Sequence, residues 1–389
     1  MKNLVFICHN ILGPRNRAQF QRSSYLCDRY KVHIFCLGSI HEEIKGKAKF
    51  VKYCPSRNLL DSRIIFPFWV LYHVLLLHKK KKVHLVYTTY ENICSISGLL
   101  LKCFGFTWVV DIWDDPELPF ESVKSRRGLS RIKNFCHFVI FQIVKRTLKW
   151  CDLMILALVP DMLNNYKIDP KKVISVTNGV DLDITKPFRT YTANSEFTIS
   201  YVGFIKEIRG VDTILSSANY LKNCIPNLKV VLIGYADLED QRWLDLSVRE
   251  KGLEDIVKFL GELEHDQVLD EIARSDVCLF PFPKVKQLEY IYPIKIFEYM
   301  AMGKCVVATN LTGVRRIIQD GENGFLIKPD SPQEMADAIM KVYKDSNLKK
   351  KIEKNALMTV QRYSWNNINN KVGQALDSLI KATVTRGEC

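Results

Sequence analysis

The sequence has no continuous apolar segment long enough to cross a bilayer. A transmembrane helix needs about 20 consecutive apolar residues, whereas the longest apolar stretch, residues 64–78, is shorter and contains Pro67 and His73. The N-terminal segment MKNLVFICHN is apolar for too few residues to be a signal peptide, and polar, basic sequence follows it. We therefore expect no membrane span and interpret residues 3–8 as a first buried strand.

Paired cysteine motifs are also missing. None of the twelve cysteines is arranged as C-x-x-C, a spacing that is typical of structural zinc sites and redox-active thiol pairs. Several lie inside apolar, strand-like runs, where a small buried thiol fits; these are Cys8, Cys36, Cys278 and Cys305. The pattern indicates a chain of the reducing cytoplasm, without disulfides or a structural metal.

The chain lacks internal repeats, a G-x-G-x-x-G fingerprint and any recognised nucleic-acid-binding motif. Its net charge of +14 nevertheless favours acidic partners. Nucleotide diphosphates, anionic lipids and nucleic acid all have the required charge. Because no motif supports nucleic acid, we expect the first two classes and not the third.

Apolar, strand-like runs alternate with helical segments in both halves of the 389 residues. This alternation is typical of an α/β chain with doubly wound parallel sheets, and the length exceeds that of one ordinary domain. Residues 181–196 are polar, contain Pro187 and show no periodicity, as a linker does. We predict an N-terminal domain at 1–185, a second domain at 190–363 and a last helical segment at 364–389.

Two loops in the first half follow predicted strands, at the edge where parallel sheets bind ligands. Gly13 follows the strand at 3–8, where it would let a ligand approach the backbone; it also fits an ordinary turn. The sequence DIWDDP at 111–116 follows another strand and carries three carboxylates. Its aspartates are candidates for substrate contact or for capping a helix.

Two segments combine apolar residues with clustered cations. Residues 64–82 form a mostly apolar helix that ends in four consecutive lysines, and residues 122–149 interleave lysine and arginine with aromatic and aliphatic residues. Such segments can hold a protein on anionic lipid. Alternatively, their apolar faces cover the sheet and their cations stabilise helix C-termini.

The loop after the strand at 197–202 predicts a diphosphate site. It begins with Gly203 and contains Lys206 and Arg209 before the next helix. Backbone N–H groups at a strand end together with side-chain cations can hold a diphosphate.

The most informative stretch is residues 289–327. Pro293 can open a short helix on which Ile294, Phe297 and Ala301 form an apolar stripe, with Glu298 at its edge. A carboxylate there needs donors, and ribose hydroxyls would serve. Lys295 stands in the first turn, where the helix dipole disfavours a cation, so a bound anion would explain it. The alternatives are that Lys295 is an ordinary solvated lysine and that Glu298 is a structural carboxylate.

Three phrases in this stretch carry a family resemblance: PIKIFEYMAMGKCVVAT, GVRRII and DGENGFLI. Together they resemble the donor-site segment of GT-B glycosyltransferases of family 4, the retaining group that uses nucleotide-sugars. The resemblance implies the GT-B fold, in which two Rossmann-like domains face a cleft and the last helix crosses back to the first domain. It covers most of the second half by motif, and the first half mainly by topology.

Residue by residue, the resemblance is incomplete. Arg209 occupies the position of a family lysine that grips the donor phosphates, while Phe204 stands where the family has arginine. Lys206 is a candidate to replace that arginine. Glu298 matches the second of two family glutamates, whereas Tyr290 falls at the first.

Two further positions depart from the family pattern. Glu289 lies one residue before the first glutamate position and is a candidate sugar contact, with a surface charge as the alternative. In the first half, Trp113 replaces the histidine of the family's His-Asp pair, which leaves Asp114 as the candidate acceptor contact.

The resemblance implies transfer of a sugar from a nucleotide-sugar donor to a hydroxyl of a glycan or lipid-linked acceptor, with retention of configuration. It implies no cofactor and no metal, and suggests a cytoplasmic location at the inner face of the cell membrane. A sugar-nucleotide epimerase and a non-catalytic nucleotide-binding scaffold are the alternatives. The predicted catalytic residues are Arg209, Lys206, Glu298 and Asp114, and the predicted donor-binding residues are Gly203, Arg209, Lys295, Glu298, Glu289, Tyr290 and Gly13.

Overall fold

The computed structural model describes residues 1–11, 17–55, 59–113, 139, 142–165, 168–185 and 196–385. The chain forms two compact units, one from residues 1–177 with 365–389 and one from residues 178–364. Most of the predicted linker falls at 186–195, outside the described residues. The domain bounds at 185 and 190 therefore remain predictions.

The first unit contains a seven-stranded sheet that is parallel throughout its described pairs, in the order β3-β2-β1-β4-β5-β6-β7. The central strands β1, β4 and β5 are buried along almost their whole length, as expected where helices cover both faces of a parallel sheet. The strands are β1 (Asn3–Cys8), β2 (Lys31–Cys36), β3 (Phe50–Tyr53), β4 (Leu85–Thr89), β5 (Trp108–Ile112), β6 (Leu153–Leu156) and β7 (Val173–Ser175). The helices between them are α1 (Arg17–Arg29), α2 (Glu42–Lys47), α3 (Leu59–Lys80) and α4 (Asn92–Cys103).

The second unit contains a six-stranded parallel sheet in the order β10-β9-β8-β11-β12-β13. Its order reverses beside β8, which is the place where such sheets bind ligands. The strands are β8 (Phe197–Val202), β9 (Leu228–Ile233), β10 (Val257–Phe259), β11 (Val277–Phe280), β12 (Cys305–Thr309) and β13 (Phe325–Ile327). The helices are α5 (Leu182–Thr185), α6 (Val211–Leu221), α7 (Leu238–Glu250), α8 (His265–Arg274), α9 (Lys286–Glu289), α10 (Ile294–Ala301), α11 (Pro332–Lys344) and α12 (Ser346–Val360).

The last helix, α13 (Trp365–Thr385), belongs to the first unit and packs against α1. It buries one residue per turn in that unit's core, at the four-residue spacing that keeps side chains on one helix face; these are Ile368, Val372, Leu376 and Ile380. Arg22 of α1 also donates from Nε to Asn369 Oδ1 at 2.6 Å.

A buried ion pair joins α1 to the sheet. Arg22 and Asp111 of β5 are each 1% exposed, and Arg22 Nη1 lies 3.6 Å from Asp111 Oδ2. The same oxygen accepts the hydroxyl of Tyr87 from β4. Burial raises the pKa of Asp111, and the Arg22 charge acts against that rise. Because two charged groups have left water, the pair needs both partners to remain in place.

Some local predictions were wrong. The sequence S-P-Q-E at 331–334 predicts a capping box with proline at the first helical position, but Ser331 makes no capping hydrogen bond and Glu334 accepts from Lys328 instead. Proline does stand at the first turn of α11, as predicted. Helix α10 has no single apolar stripe, because every residue from Ile296 to Ala301 is buried.

No helix of the described part of the chain is both long and apolar enough to span a bilayer. The ten described cysteines are all free thiols.

Candidate functional site

Two glycines bring the ends of β8 and β9 together. Gly203 has φ +152° and Gly234 has φ +135°, values that side chains with a Cβ rarely adopt. A Cβ on Gly234 would lie 2.0 Å from Gly203 O. The backbones therefore approach closely at the carboxyl edge of the sheet, where the order of the strands reverses.

Arg209 lies on the loop that leaves this edge. It ends a single 3-10 turn, Glu207–Arg209, and Gly210 with φ +80° then forms the N-cap of α6. A Cβ on Gly210 would meet Pro281 O at 1.9 Å, so the loop lies tight against the chain that follows β11. The half-buried guanidinium stands 5.1 Å from the ring centroid of Phe282.

Lys295 reaches the same place from the first turn of α10. A Cβ on Gly203 would lie 2.1 Å from Lys295 Nζ, so the ammonium occupies the space that glycine leaves. Its Nζ stands 5.1 Å from the ring centroid of Tyr201 and 5.3 Å from that of Phe282. The pKa of Lys295 is lowered to about 7, chiefly by burial and also by the Arg209 charge, while the Glu298 charge opposes the fall.

Arg209 and Lys295 therefore both lie within 5.3 Å of the centroid of one aromatic ring, that of Phe282. Among the described residues, neither cation has a carboxylate within ion-pair distance. A pair of half-buried cations without an acid is costly unless an anion joins them. The arrangement is suited to a phosphate or diphosphate.

Glu298 lies one turn beyond Lys295 on α10 and is 9% exposed. Its Oε1 is 3.2 Å from Nε2 of His265, the first residue of α8. The sequence placed Glu298 at the edge of a core-facing stripe; the structure places it among buried neighbours with an imidazole beside it.

Glu289 is largely buried, so the alternative of a surface charge is wrong. Its Oε1 accepts from Thr312 N at 3.1 Å and from the Thr312 hydroxyl, and Arg315 Nη2 stands 4.0 Å away. Its Oε2 is buried without a hydrogen-bond partner in the described residues. Tyr290, directly after α9, is half-buried.

Lys206 is engaged by acids. Its Nζ lies 2.8 Å from Asp240 Oδ2 and 3.3 Å from Asp237 Oδ2, at the start of α7. These partners raise the pKa of Lys206. A cation that is already paired offers less charge to a phosphate than Arg209 does.

The two predicted first-half candidates, Gly13 and Asp114, lie outside the described residues, as does most of 122–149. The neighbouring Trp113 is half-buried, and the Arg22 guanidinium lies 4.8 Å from its ring centroid.

Sequence reasoning missed Phe282, His265 and Thr312. Phe282 and Thr312 each follow a parallel strand, β11 and β12, and the rule that ligands bind at carboxyl edges could have found them. His265 gave no comparable signal, because its contact with Glu298 depends on how α8 packs beside α10.

Residues 184–358 match the family model described as glycosyl transferases group 1. The match lies in the second unit and includes every residue of the cation pair and its surroundings. Curated relatives include D-inositol 3-phosphate glycosyltransferase from Paenarthrobacter aurescens, 23% identical over 214 residues that make up 53% of this chain and 51% of that protein. Another is phosphatidyl-myo-inositol mannosyltransferase from Mycobacterium leprae, 22% identical over 226 residues, 57% of this chain and 58% of that protein. The chain thus spans about half the length of the curated relatives it matches.

Solved structures are similar along almost the whole chain. A glycosyltransferase from Rickettsia africae has a TM-score of 0.74 at 17% identity and covers 98% of this chain and 99% of its own. Anabaena HepE in complex with UDP has a TM-score of 0.72 at 19% identity, covering 97% and 100%. These likenesses confirm the predicted fold class, two parallel-sheet α/β domains of the GT-B type.

Proposed function

We propose that this protein is a retaining glycosyltransferase that moves a sugar from a nucleotide-sugar to a hydroxyl of a glycan or lipid-linked acceptor. The observation that carries the proposal is the pair of cations without a described acid partner, Arg209 and Lys295, both beside the ring of Phe282 at the carboxyl edge of β8 and β11. The family match over 184–358 and the UDP bound to the HepE neighbour support a nucleotide diphosphate as the anion.

In this proposal the cations stabilise the negative charge that develops on the departing diphosphate. Preorganised charges in a site with little water act most strongly on such a change. Lys206 is a further candidate for the same role, but its two acids reduce its contribution. Protein cations supply the neutralisation, so the proposal requires neither a metal nor a cofactor.

The two carboxylates position the donor. Glu298 accepts from the ribose hydroxyls, while Glu289 offers its unpartnered Oε2 to a hydroxyl of the sugar. Thr312 fixes the other oxygen of Glu289 and so orients the group. Gly203 allows close approach of the phosphates, and Tyr290 lines the sugar side. Asp114 remains the proposed acceptor contact.

The proposed setting is the cytoplasmic face of the cell membrane, in the synthesis of an envelope polysaccharide or glycolipid. The uncompensated positive charge of the chain, +14, suits an anionic membrane that presents a lipid-linked acceptor.

Donor binding is tested by thermal unfolding with a panel of nucleoside diphosphates and their sugars. A ligand at about 100 times its Kd stabilises the folded state by about 2.7 kcal/mol, which raises the melting temperature by several degrees. Arg209→Ala and Glu298→Ala should each reduce that shift strongly. Arg274→Ala, which removes an exposed arginine paired with Glu271 on α8, is the matched control and should keep it.

Transfer is tested with the donor that gives the largest shift. NMR of the product should show the anomeric configuration of the donor. Glu289→Gln should lower the transfer rate while leaving the affinity for the nucleoside diphosphate unchanged, since its free oxygen faces the sugar in this proposal. If both Arg209→Ala and Glu298→Ala bind nucleotide normally, the donor site has been placed wrongly.

A non-catalytic nucleotide-binding scaffold remains the second candidate, because Phe204 stands at the arginine position and Lys206 is already paired. Nucleotide binding with no transfer to any glycan or lipid acceptor would favour it. Conversion of a nucleotide-sugar without an acceptor would instead indicate an epimerase.

A further inference from the structure

Helix α3 has an exposed apolar face that no described residue of the first unit covers. Its inner face is fully buried through Phe66, Val70 and Val74. The opposite side exposes large apolar residues at intervals of three and four, which places them on one stripe; they are Ile65 at 51%, Phe68 at 62%, Tyr72 at 60% and Leu76 at 38%. Water-soluble proteins rarely leave such a continuous apolar surface without a partner.

The stripe runs directly into a basic cluster. Lys79 and Lys80 continue the same face of α3, and Lys81 and Lys82 follow the end of the helix; all four are exposed. Within the described residues, no carboxylate pairs with any of them. From residue 65 to residue 80 the stripe is about 22 Å long at 1.5 Å per residue. One continuous surface is therefore apolar along most of its length and positive at one end.

The sheet edge extends this surface. Strand β3 lies at the edge of its sheet and exposes Phe50 and Tyr53. Trp69 of α3 links the two elements: its ring lies 5.8 Å from that of Phe35, and Lys52 Nζ stands 6.0 Å from its centroid. Aromatic residues beside lysines are typical of surfaces at the boundary between lipid and water.

We propose that this surface, the exposed face of α3 with the adjoining edge of β3, lies flat on an anionic lipid bilayer. Phe68 and Tyr72 enter the boundary between headgroups and acyl chains, and the four lysines contact lipid phosphates. The helix lies in the plane of the interface and does not cross it, in agreement with the lack of a spanning helix in the described chain. The inference assigns a surface to the membrane contact of the proposed function, but it does not depend on glycosyl transfer.

The positive charge of this surface favours an anionic bilayer over a second copy of the chain or an apolar protein. Four unpaired lysines need negative charge opposite them, and a bilayer containing phosphatidylglycerol supplies it over the whole area. A second copy would carry the same lysines and the same net charge of +14. An apolar partner would leave the lysines without counter-charges.

The test is co-sedimentation of the full-length protein with vesicles of phosphatidylcholine alone or with added phosphatidylglycerol. We expect binding to the anionic vesicles, weakening as salt is added, and little binding to phosphatidylcholine. Each lysine contributes about fivefold, so Lys79→Ser with Lys80→Ser should weaken binding about 25-fold. Phe68→Ser with Tyr72→Ser should weaken it at least tenfold, and tryptophan fluorescence should report less burial of Trp69.

The matched control is Phe104→Ser with Lys371→Ser, which removes an equally exposed aromatic residue and an exposed lysine elsewhere in the first unit. It should bind vesicles like the unaltered protein. Circular dichroism and the unfolding temperature confirm that every variant is folded.

Three results would overturn the inference. These are unchanged vesicle binding in both α3 variants, equal binding to neutral and anionic vesicles, and a stable dimer in sedimentation equilibrium that the Phe68 and Tyr72 substitutions dissociate. If vesicle binding behaves as expected but no nucleotide shifts the melting temperature, the proposed transfer fails and this surface assignment stands.

Discussion

Lys295 Nζ occupies the space in which a side chain on Gly203 would begin: an added Cβ would lie 2.1 Å from that nitrogen. The glycine at the end of β8 and the lysine at the start of α10 are thus fitted to each other. Because the two residues are far apart in the sequence, the sequence alone does not reveal this fit.

Gly203→Ala should weaken nucleotide binding at least tenfold. The new methyl group displaces the ammonium, and φ +152° strains any residue with a Cβ. Calorimetric titration with the best nucleoside diphosphate measures the loss. Gly252→Ala, which has φ +58° but only an ordinary contact at 3.5 Å, controls for backbone strain and should keep the affinity.

Nucleotide affinity should fall as the pH rises through about 7, because the pKa of Lys295 is lowered to that value and the neutral amine no longer attracts phosphate. In the ligand-free protein, by contrast, the contribution of Lys295 to the free energy of unfolding should increase as the pH rises. Unfolded Lys295 keeps its ordinary pKa of 10.5, so between 7 and 10.5 the unfolded state binds more protons and this group raises the free energy of unfolding as the pH rises.

Titration calorimetry and urea unfolding over this pH range measure the two trends. Lys295→Met should remove the contribution of this group to both. Arg209→Ala should move the midpoint of the affinity curve upward, since the Arg209 charge is one cause of the lowered pKa. A pH-independent affinity in the unaltered protein would show that Lys295 does not contact the anion.

Phe204→Arg should strengthen nucleotide binding by about threefold to tenfold and steepen its salt dependence, because it restores a second phosphate-gripping cation. Phe204 is 51% exposed, so the fold should tolerate the change. Lys206→Ala should cost less affinity than Arg209→Ala, since Asp237 and Asp240 already neutralise the lysine. The reverse order would make Lys206 the true replacement for the missing arginine.

Arg22→Ala should destabilise the first unit by about 3–5 kcal/mol, because it leaves the Asp111 carboxylate buried without its cation. Urea unfolding measures the loss. Arg29→Ala breaks a comparable link between α1 and α13, the pair with Asp377, but that pair is about one-third exposed. It should cost about 1 kcal/mol or less. Equal losses of unfolding free energy in the two variants would contradict the expectation that the buried ion pair matters more than the exposed one.

The sequence predicted the strands well where they are nearly continuous apolar runs, as at Asn3–Cys8, because burial on both faces of a parallel sheet leaves that signature. It also indicated Arg209 and Glu298 through their positions at a strand end and on a short helix. The acids that engage Lys206 were not predictable, because they come from another loop. The capping motif at Ser331 failed because Lys328 competes for Glu334.

The apolar face of α3 is a second feature that could not be predicted from the sequence. The helix is apolar nearly all round, so its sequence alone did not reveal that Phe66 packs inward while Phe68 faces outward. Only the position of the helix on the sheet separates core residues from exposed ones.

The return of α13 to the first unit affects the order in which the protein can fold during synthesis. Residues 178–364 are continuous, so the second unit can close as soon as it leaves the ribosome. The first unit emerges earlier but lacks Ile368, Val372 and Leu376 until α13 has been synthesised. The unit that is begun first is therefore completed after the second unit, and its open α1 face must be kept from aggregation until α13 arrives.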